Sequence, residues 1–403
     1  MTTPAPVRLD AFDAARDSDS VARLMSIAFA GPRDRIVQYV SAVGDEKIRT
    51  VRLNPGDAHA SACLARIDAG QYFGGRIVPM AGVAAVAVAP ECRGGGLALG
   101  MMGAALREAR EQGYPISTLY ASTQTLYRQL GYEQAGHRFR HVVDLARLGV
   151  RDRSMSVRGL TEQHESAVRA CYGAFARTLD GMLDRNEFLW GRTRAWRDTA
   201  YDGFGVFDPG SGALEGYVFL TQNRDPVSGR HDLAISDAAF STPRAGRRLL
   251  GFLADFSSMA LHAELFGGPS HPLTALMPQQ VFRTERKDWW MVRLLDVAKA
   301  VAARGYAPGV GASVSLRLSD GLLPENAGGW RLEVEGGRGR LERESAPGAG
   351  AVSMDVRAFA SLYSGFVTAT QAALLGWVEG PAERVASLDG VFAGATPSMV
   401  DMF

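Results

Sequence analysis

The chain has 403 residues, 46% of them hydrophobic, which is enough for two or three domains with proper cores. Its 44 basic and 43 acidic residues leave a net charge of +1, which excludes the strongly basic surface of a nucleic-acid-binding protein. Three widely spaced cysteines (Cys63, Cys92, Cys171) indicate neither a disulfide framework nor a zinc site, so no metal is expected. No apolar run reaches the length of a membrane span and no signal-peptide pattern opens the chain, so a cytoplasmic location is expected. Lysine occurs only at Lys47, Lys287 and Lys299, a compositional bias toward arginine.

In chain order, residues 6–12 predict a first strand. Ser18 is expected to cap a helix through Phe29, with Val21, Leu24, Met25 and Ala28 on one face. A short helix follows Pro32. Strands are expected over 48–53 and 59–68, with a turn at Gly74-Gly75 inside 71–78. An apolar β-type run covers 81–89 and a helical pattern covers 97–112. A strand over 116–121, a short helix over 123–130 closed by Gly131, and a long strand over 132–145 complete a first unit. Residues 151–156 are polar and linker-like. Beyond them the pattern predicts helices near 162–175 and 187–196, strands near 203–207, 216–221 and 235–239, and an amphipathic helix over 244–261. A third unit starts near Leu294: a helix over 297–304, strands at 313–318, 330–335 and 352–355, a hairpin turn at 336–339, and helices over 356–363 and 369–375.

The chemistry concentrates at A-V-A-V-A-P-E-C-R-G-G-G-L-A-L, residues 85–99. A strand, a proline stop, a glycine-rich turn and a helix in that order make an anion site. The first helical N–H groups lack internal partners, and glycines let the backbone approach a phosphate. No Gly-Lys-Ser/Thr ends the turn, so it is not a P-loop, and from Gly94 the third glycine of a dinucleotide fingerprint falls on Leu99. Arg93-x-x-Gly96-x-Ala98 after Val86-x-Val88 resembles motif A of the GNAT acetyltransferases, whose loop binds the pyrophosphate of acetyl-CoA.

That resemblance implies acyl transfer from a thioester to an amine, with acetyl-CoA as cosubstrate. The coenzyme-binding set is then Val86, Ala87, Val88, Arg93, Gly94, Gly95, Gly96, Leu97, Ala98 and Leu99, with Ser122 and Thr123 at the start of the next helix. A main-chain N–H of the Val86–Val88 run would polarise the thioester, which requires a gap in the sheet beside it. Tyr127 lies just over one turn inside the short helix; a phenol with a pKa near ~10 is protonated at neutral pH and can supply a proton to the departing thiolate. Tyr132, the first residue after Gly131, is its rival and reads as structural.

Y-P-I-S-T-L-Y-A-S-T-Q-T-L-Y-R-Q-L-G-Y (114–132) resembles the matching region of the Eis family, the large bacterial GNAT enzymes that acetylate aminoglycosides and protein lysines. D-W-W-M-V-R-L-L-D-V-A-K-A-V-A-A-R-G-Y (288–306), A-S-L-Y-S-G-F (360–366) and the terminal V-D-M-F extend the likeness over the whole chain. The resemblance implies an α+β fold: tandem GNAT-like mixed α/β domains followed by a sterol-carrier-protein-like α/β domain. The corresponding divisions are 1–150 for the catalytic domain, 151–293 for a GNAT-like domain without a CoA site, and 294–403 for the sterol-carrier-like domain. It places the catalytic acid on Tyr127 and the base on the α-carboxylate of Phe403, and it implies a homohexamer. An α-carboxyl with a pKa near ~3.5 is a weak base, so it would act through water or be raised by burial.

Two departures from the family bear on the substrate. Gly94 and Gly95 stand where members often carry arginines, which keeps backbone donors but removes side-chain contacts to CoA phosphates. The aminoglycoside-handling member has an acidic residue next to last; here that place is Met402, leaving Asp34 and Asp401 as candidate carboxylates for a polycation. The acceptor expected is an amine-bearing small molecule or a lysine side chain. Two other readings remain open at this stage. One is a non-catalytic binding protein, with a degenerate GNAT scaffold and a C-terminal domain holding an apolar ligand. The other is an acetyltransferase dedicated to one small metabolite. Elsewhere, His137 and His141 lack a carboxylate or cysteine to complete a metal set, and Cys92 reads as a small packed residue. Arg244, Arg247 and Arg248 read as a solvated basic face, and Trp289-Trp290 as packing at a domain boundary.

Overall fold

The computed structural model describes residues 7–54 and 56–403; residue 6, the start of the expected first strand, lies outside them. They form two compact units: residues up to Ala135 with Trp290–Gly394 and Phe403, and Gly136–Trp289 with Ala395–Met402.

The first unit opens with β1 (Asp10–Ala11), α1 (Ala14–Phe29) and α2 (Arg33–Val43). Asp13, not Ser18, caps α1: its carboxylate accepts the N–H groups of Ala15 and Arg16, while Ser18 donates its hydroxyl to the Ala14 carbonyl within the helix. Then come β2 (Ile48–Val51), β3 (Ala62–Phe73), β4 (Arg76–Val88), α3 (Leu97–Glu111), β5 (Ile116–Tyr120) and α4 (Gln124–Gln129). The strands lie in that order, antiparallel from β1 to β4. β5 runs parallel to β4 and is flanked by the antiparallel residues 290–294. Leu97, Met101, Met102 and Leu106 of α3 bury one face against Ala81, Val83 and Leu119 of the sheet. Each fully buried side chain of that size contributes about 1.5–3 kcal/mol.

A second sheet in this unit has the order 338–343, 328–335, 312–319, 352–355 and 378–379, with Ala312–Ser319 parallel to Val352–Asp355. The strand Arg338–Arg343 and the helix Ala382–Val391 were not legible, because R-G-R-L-E-R buries only Leu341 and the helix buries only Val385, Leu388 and Val391.

In the second unit, Ser156–Gly159, Asp202–Phe207, Leu214–Arg224, His231–Phe240 and Ala260–Gly267 line up in sequence order; residues 139–144 then pair antiparallel with the last of them. The helix expected over 244–261 is Pro243–Ala254, and Leu261 belongs to a strand. Of its arginines, Arg244 and Arg247 are exposed as expected and Arg248 is buried. Arg244 pairs with Asp208 and Glu215, and the buried Arg248 donates its Nε to the Met155 carbonyl at 3.0 Å. The strand Phe282–Leu294 was also missed, since it begins F-R-T-E-R-K with no apolar alternation. Successive strand side chains point to opposite faces, so Trp290 is fully buried and Trp289 half-buried.

The three lysines all sit in ion pairs, with Asp68, Glu285 and Asp296 respectively. Among the described residues no helix is long and apolar enough to cross a membrane.

Candidate active site

β3 and β4 pair regularly as far as Ala65 opposite Ala84, and resume at Cys63 opposite Ala87. Ala85 and Val86 therefore face the single residue Leu64, a β-bulge, and Ala85 takes the left-handed conformation at φ +52°. That conformation costs a residue with a Cβ roughly 1–2 kcal/mol. On the other side, β4 pairs with β5 only from Met80 to Gly82, although both strands run on. The gap expected beside Val86, Ala87 and Val88 is present, and it starts at Val83.

Beyond β4 the chain makes a single 3-10 turn at Pro90–Cys92, and Arg93 folds its Nε back onto the Val88 carbonyl at 3.2 Å. Gly94 and Gly96 hold φ near +84° and +80°, which suits glycine, and a Cβ at 94, 95 or 96 would meet no atom within 4 Å. The first intrahelical bond of α3 runs from Gly100 N–H to the Gly96 carbonyl at 3.0 Å. The N–H groups of Leu97, Ala98 and Leu99 precede it at the positive end of a 15-residue helix. Open space in front of such donors suits a diphosphate.

Ser122 and Thr123 are exposed at the start of α4. Thr123 occupies the cap position but makes no side-chain cap bond. Tyr127 is 5% exposed, packed in the same cluster as Val86, Val88 and Leu97, with its ring edge-to-face on Tyr132 at 5.9 Å. Its hydroxyl bonds no other described residue. Tyr132 differs: its hydroxyl is 2.7 Å from the Ser117 Oγ, which itself donates to the Ala81 carbonyl at 2.6 Å, so the Tyr132 proton is engaged. Burial raises both phenols above the ordinary tyrosine value. Of the two, Tyr127 keeps a proton available for transfer.

The Phe403 ring lies on Gly82, where a Cβ would come within 2.9 Å of its Cε2. The residues before it run through the second unit. The Pro397 carbonyl accepts from His137 N–H at 3.3 Å, Ser398 N–H donates to Asp180 at 2.8 Å, and Met399 is fully buried. Asp401 accepts from Arg185 Nε at 2.8 Å, and the other face of the same guanidinium holds Asp237 at 2.6 and 3.0 Å. Burial pushes the Asp401 carboxyl up while Arg185 pulls it down. Arg185 thus serves two buried carboxylates with one positive charge, and burial leaves the Asp401 carboxyl raised above its ordinary value; Asp34 is exposed at the first turn of α2.

His141 bonds Thr284 and the Gly268 carbonyl, His137 packs edge-on against Trp289 at 4.4 Å, and no group of three metal-ligating side chains occurs among the described residues. Sequence reasoning missed Gly82, Ala85 and Arg185. An isolated glycine inside V-P-M-A-G-V-A signals a close approach, and a lone aspartate in the apolar tail signals a buried cation partner.

Residues 14–135 match an acetyltransferase (GNAT) domain, 181–294 a second acetyltransferase (GNAT) domain, and 297–400 a sterol carrier protein domain. N-acetyltransferase Eis of Mycobacterium tuberculosis is 29% identical over 339 residues, 80% of each chain. Two solved structures superpose over nearly the full length. The GCN5-related N-acetyltransferase from Anabaena variabilis has a TM-score of 0.90 and 29% identity, covering 98% of this chain and all of that one. The one from Kribbella flavida has a TM-score of 0.84 and 31% identity, covering 98% of both. Two GNAT folds followed by a sterol-carrier fold define an acyl-CoA-dependent transferase class. The chain belongs to the GCN5-related N-acetyltransferases.

Proposed function

We propose that this enzyme moves the acetyl group of acetyl-CoA directly onto a primary amine, with no acyl-enzyme. The observation that carries the proposal is the open Gly94–Gly96 turn at the end of a strand freed from its neighbour beside the Ala85 bulge. The turn and the first N–H groups of α3 hold the diphosphate, and a main-chain N–H of residues 86–88 polarises the thioester oxygen. The neutral amine attacks the carbonyl carbon, the C–S bond breaks, and the Tyr127 hydroxyl protonates the leaving thiolate. The proton lost by the amine passes to the Phe403 α-carboxylate, directly or through one water, and from there to solvent; a proton from solvent restores Tyr127.

The side chains that would block a degenerate scaffold are lacking at the turn, which favours the catalytic reading over a binding protein. We divide the chain at about residues 150 and 293 into catalytic, GNAT-like and sterol-carrier-like domains. We place the enzyme in the cytoplasm as a homohexamer, which sedimentation of the purified chain tests. The sequence leaves aminoglycoside-, polyamine- and lysine-type acceptors open, along with a dedicated small metabolite. Calorimetry with CoA tests the reading directly: binding below millimolar concentration supports it, and no heat at millimolar CoA removes it.

A further inference from the structure

Within the first unit, the five-stranded sheet carries a cavity that acetyl transfer does not use. Its volume of about 430 Å³ falls in the range of roughly 300–1,000 Å³ common to small-molecule sites. Leu316, Val352 and Val378 are buried on the inner face of the sheet, so Arg317, Ser353 and Glu379 lie on the outer one, where all three line the cavity. The register sets them in one row. Arg317 stands beside Ser353 in the parallel pair, and Ser353 beside Glu379 in the antiparallel pair. With strands about 4.8 Å apart, the backbones of Arg317 and Glu379 are separated by about 10 Å.

The ends of this row are charged and unanswered. Neither Arg317 nor Glu379 makes a hydrogen bond or an ion pair among the described residues, and both are exposed. The walls differ. Arg357 donates its Nε and Nη2 to the buried Glu133 at 3.1 and 2.6 Å, and Arg128 donates its Nη2 to the same carboxylate at 2.7 Å. Asp355 accepts the Ala358 N–H on Oδ1 at 2.8 Å, which leaves Oδ2 unbonded among the described residues. Trp377 lines the cavity half-buried, and no ring or guanidinium of the described residues stacks on it.

Arg317, Arg357 and Arg128 thus face Glu133, Asp355 and Glu379, three charges of each sign. The cavity is neutral as a whole and separated in detail. A simple anion would leave Glu379 and Asp355 unanswered, and a simple cation would leave Arg317 so. An apolar ligand, such as a sterol-carrier fold suggests, would desolvate both sets without pairing either. A small zwitterion answers both.

We propose that this cavity binds a free α-amino acid with an aromatic side chain. Its carboxylate lies on Arg317, its ammonium group on Glu379 and Asp355, and its ring on Trp377. The cavity shares no residue with the glycine turn, Tyr127 or Phe403, so its occupancy and the transfer reaction stand or fall separately.

Calorimetry of the full chain without coenzyme tests this, with L-phenylalanine, 3-phenylpropionate and phenethylamine as probes. The three share one ring and chain and differ in charge. Phenylalanine should bind saturably below millimolar concentration, and each analogue about tenfold or more weaker for the loss of one charge-assisted contact. Arg317→Met and Glu379→Gln, both at exposed positions, should leave the melting temperature unchanged and each weaken phenylalanine about tenfold or more. No saturable heat at millimolar phenylalanine overturns the inference. So does an analogue that binds as well as phenylalanine, or an affinity unchanged in either variant, which would place the bound amino acid elsewhere.

Discussion

The ring of Phe403, the last residue, rests on the backbone of Gly82, a strand residue 321 positions earlier that could not carry a side chain without displacing it. Gly82→Ala sets a Cβ 2.9 Å from the ring and 3.0 Å from the Ile67 carbonyl. The ring, being the movable partner, gives way. The expected outcome is a folded protein, with a melting temperature lowered by a few degrees, roughly 1 kcal/mol. Its kcat should fall by about 10²-fold if the Phe403 carboxylate takes the amine's proton, while the CoA dissociation constant stays unchanged. Steady-state rates with calorimetry separate the two effects.

Tyr127→Phe removes a hydroxyl that bonds no other described residue, so stability should change little. Turnover should fall by about 10²-fold or more, with the KM for acetyl-CoA unchanged. The acid form is the protonated phenol and burial raises its pKa. The alkaline limb of the kcat profile, set by loss of that proton, should therefore lie above the ordinary tyrosine value of about 10. A limb well below it assigns the acid to another group, and Tyr132, with its proton given to Ser117, is not an alternative.

At the glycine turn, Gly96→Ala forces a Cβ into φ +80° and toward the open space where the diphosphate is expected. The strain costs about 1–2 kcal/mol, and the KM for acetyl-CoA should rise about tenfold or more for the loss of one close backbone contact. Gly95→Ala is the control, because Gly95 lacks the left-handed conformation and should show a smaller stability loss.

The second unit should lose stability in acid through His271. Burial holds its pKa down to about 3, and its Nδ1 must stay unprotonated to accept the Leu273 N–H at 3.1 Å. The unfolded imidazole binds a proton below about 6.5, so between 6.5 and about 3 the unfolded chain carries the extra proton. Stability is complete above 6.5 and falls by about 1.4 kcal/mol per pH unit below it. Urea midpoints at pH 7 and pH 5 check this, and His271→Asn, which keeps an acceptor at the helix cap, should flatten the difference.

The glycine turn with its flanking strand and helix was legible because each part follows from a local rule: a proline stop, positive-φ glycines, a 3.6-residue period. The bulge at Ala85 was not, since alanine carries no mark of a left-handed conformation and the bulge appears only when β3 fixes the register. Nor was Arg185, whose partners Asp237 and Asp401 lie 52 and 216 residues away. The helix expected over 244–261 ran too long for a similar reason. Its apolar period continues past Ala254, and only pairing of Ala260–Gly267 with neighbouring strands ends it.

An acyltransferase with only three lysines, each ion-paired, offers few side-chain amines to the reagent it handles. Among its thiols, Cys63 and Cys171 are buried and burial raises both to about 12, which leaves the half-buried Cys92 as the accessible one. Intact mass spectrometry after incubation with acetyl-CoA would thus read a covalent intermediate against a low background, and an unshifted mass during turnover would mark transfer in a single step.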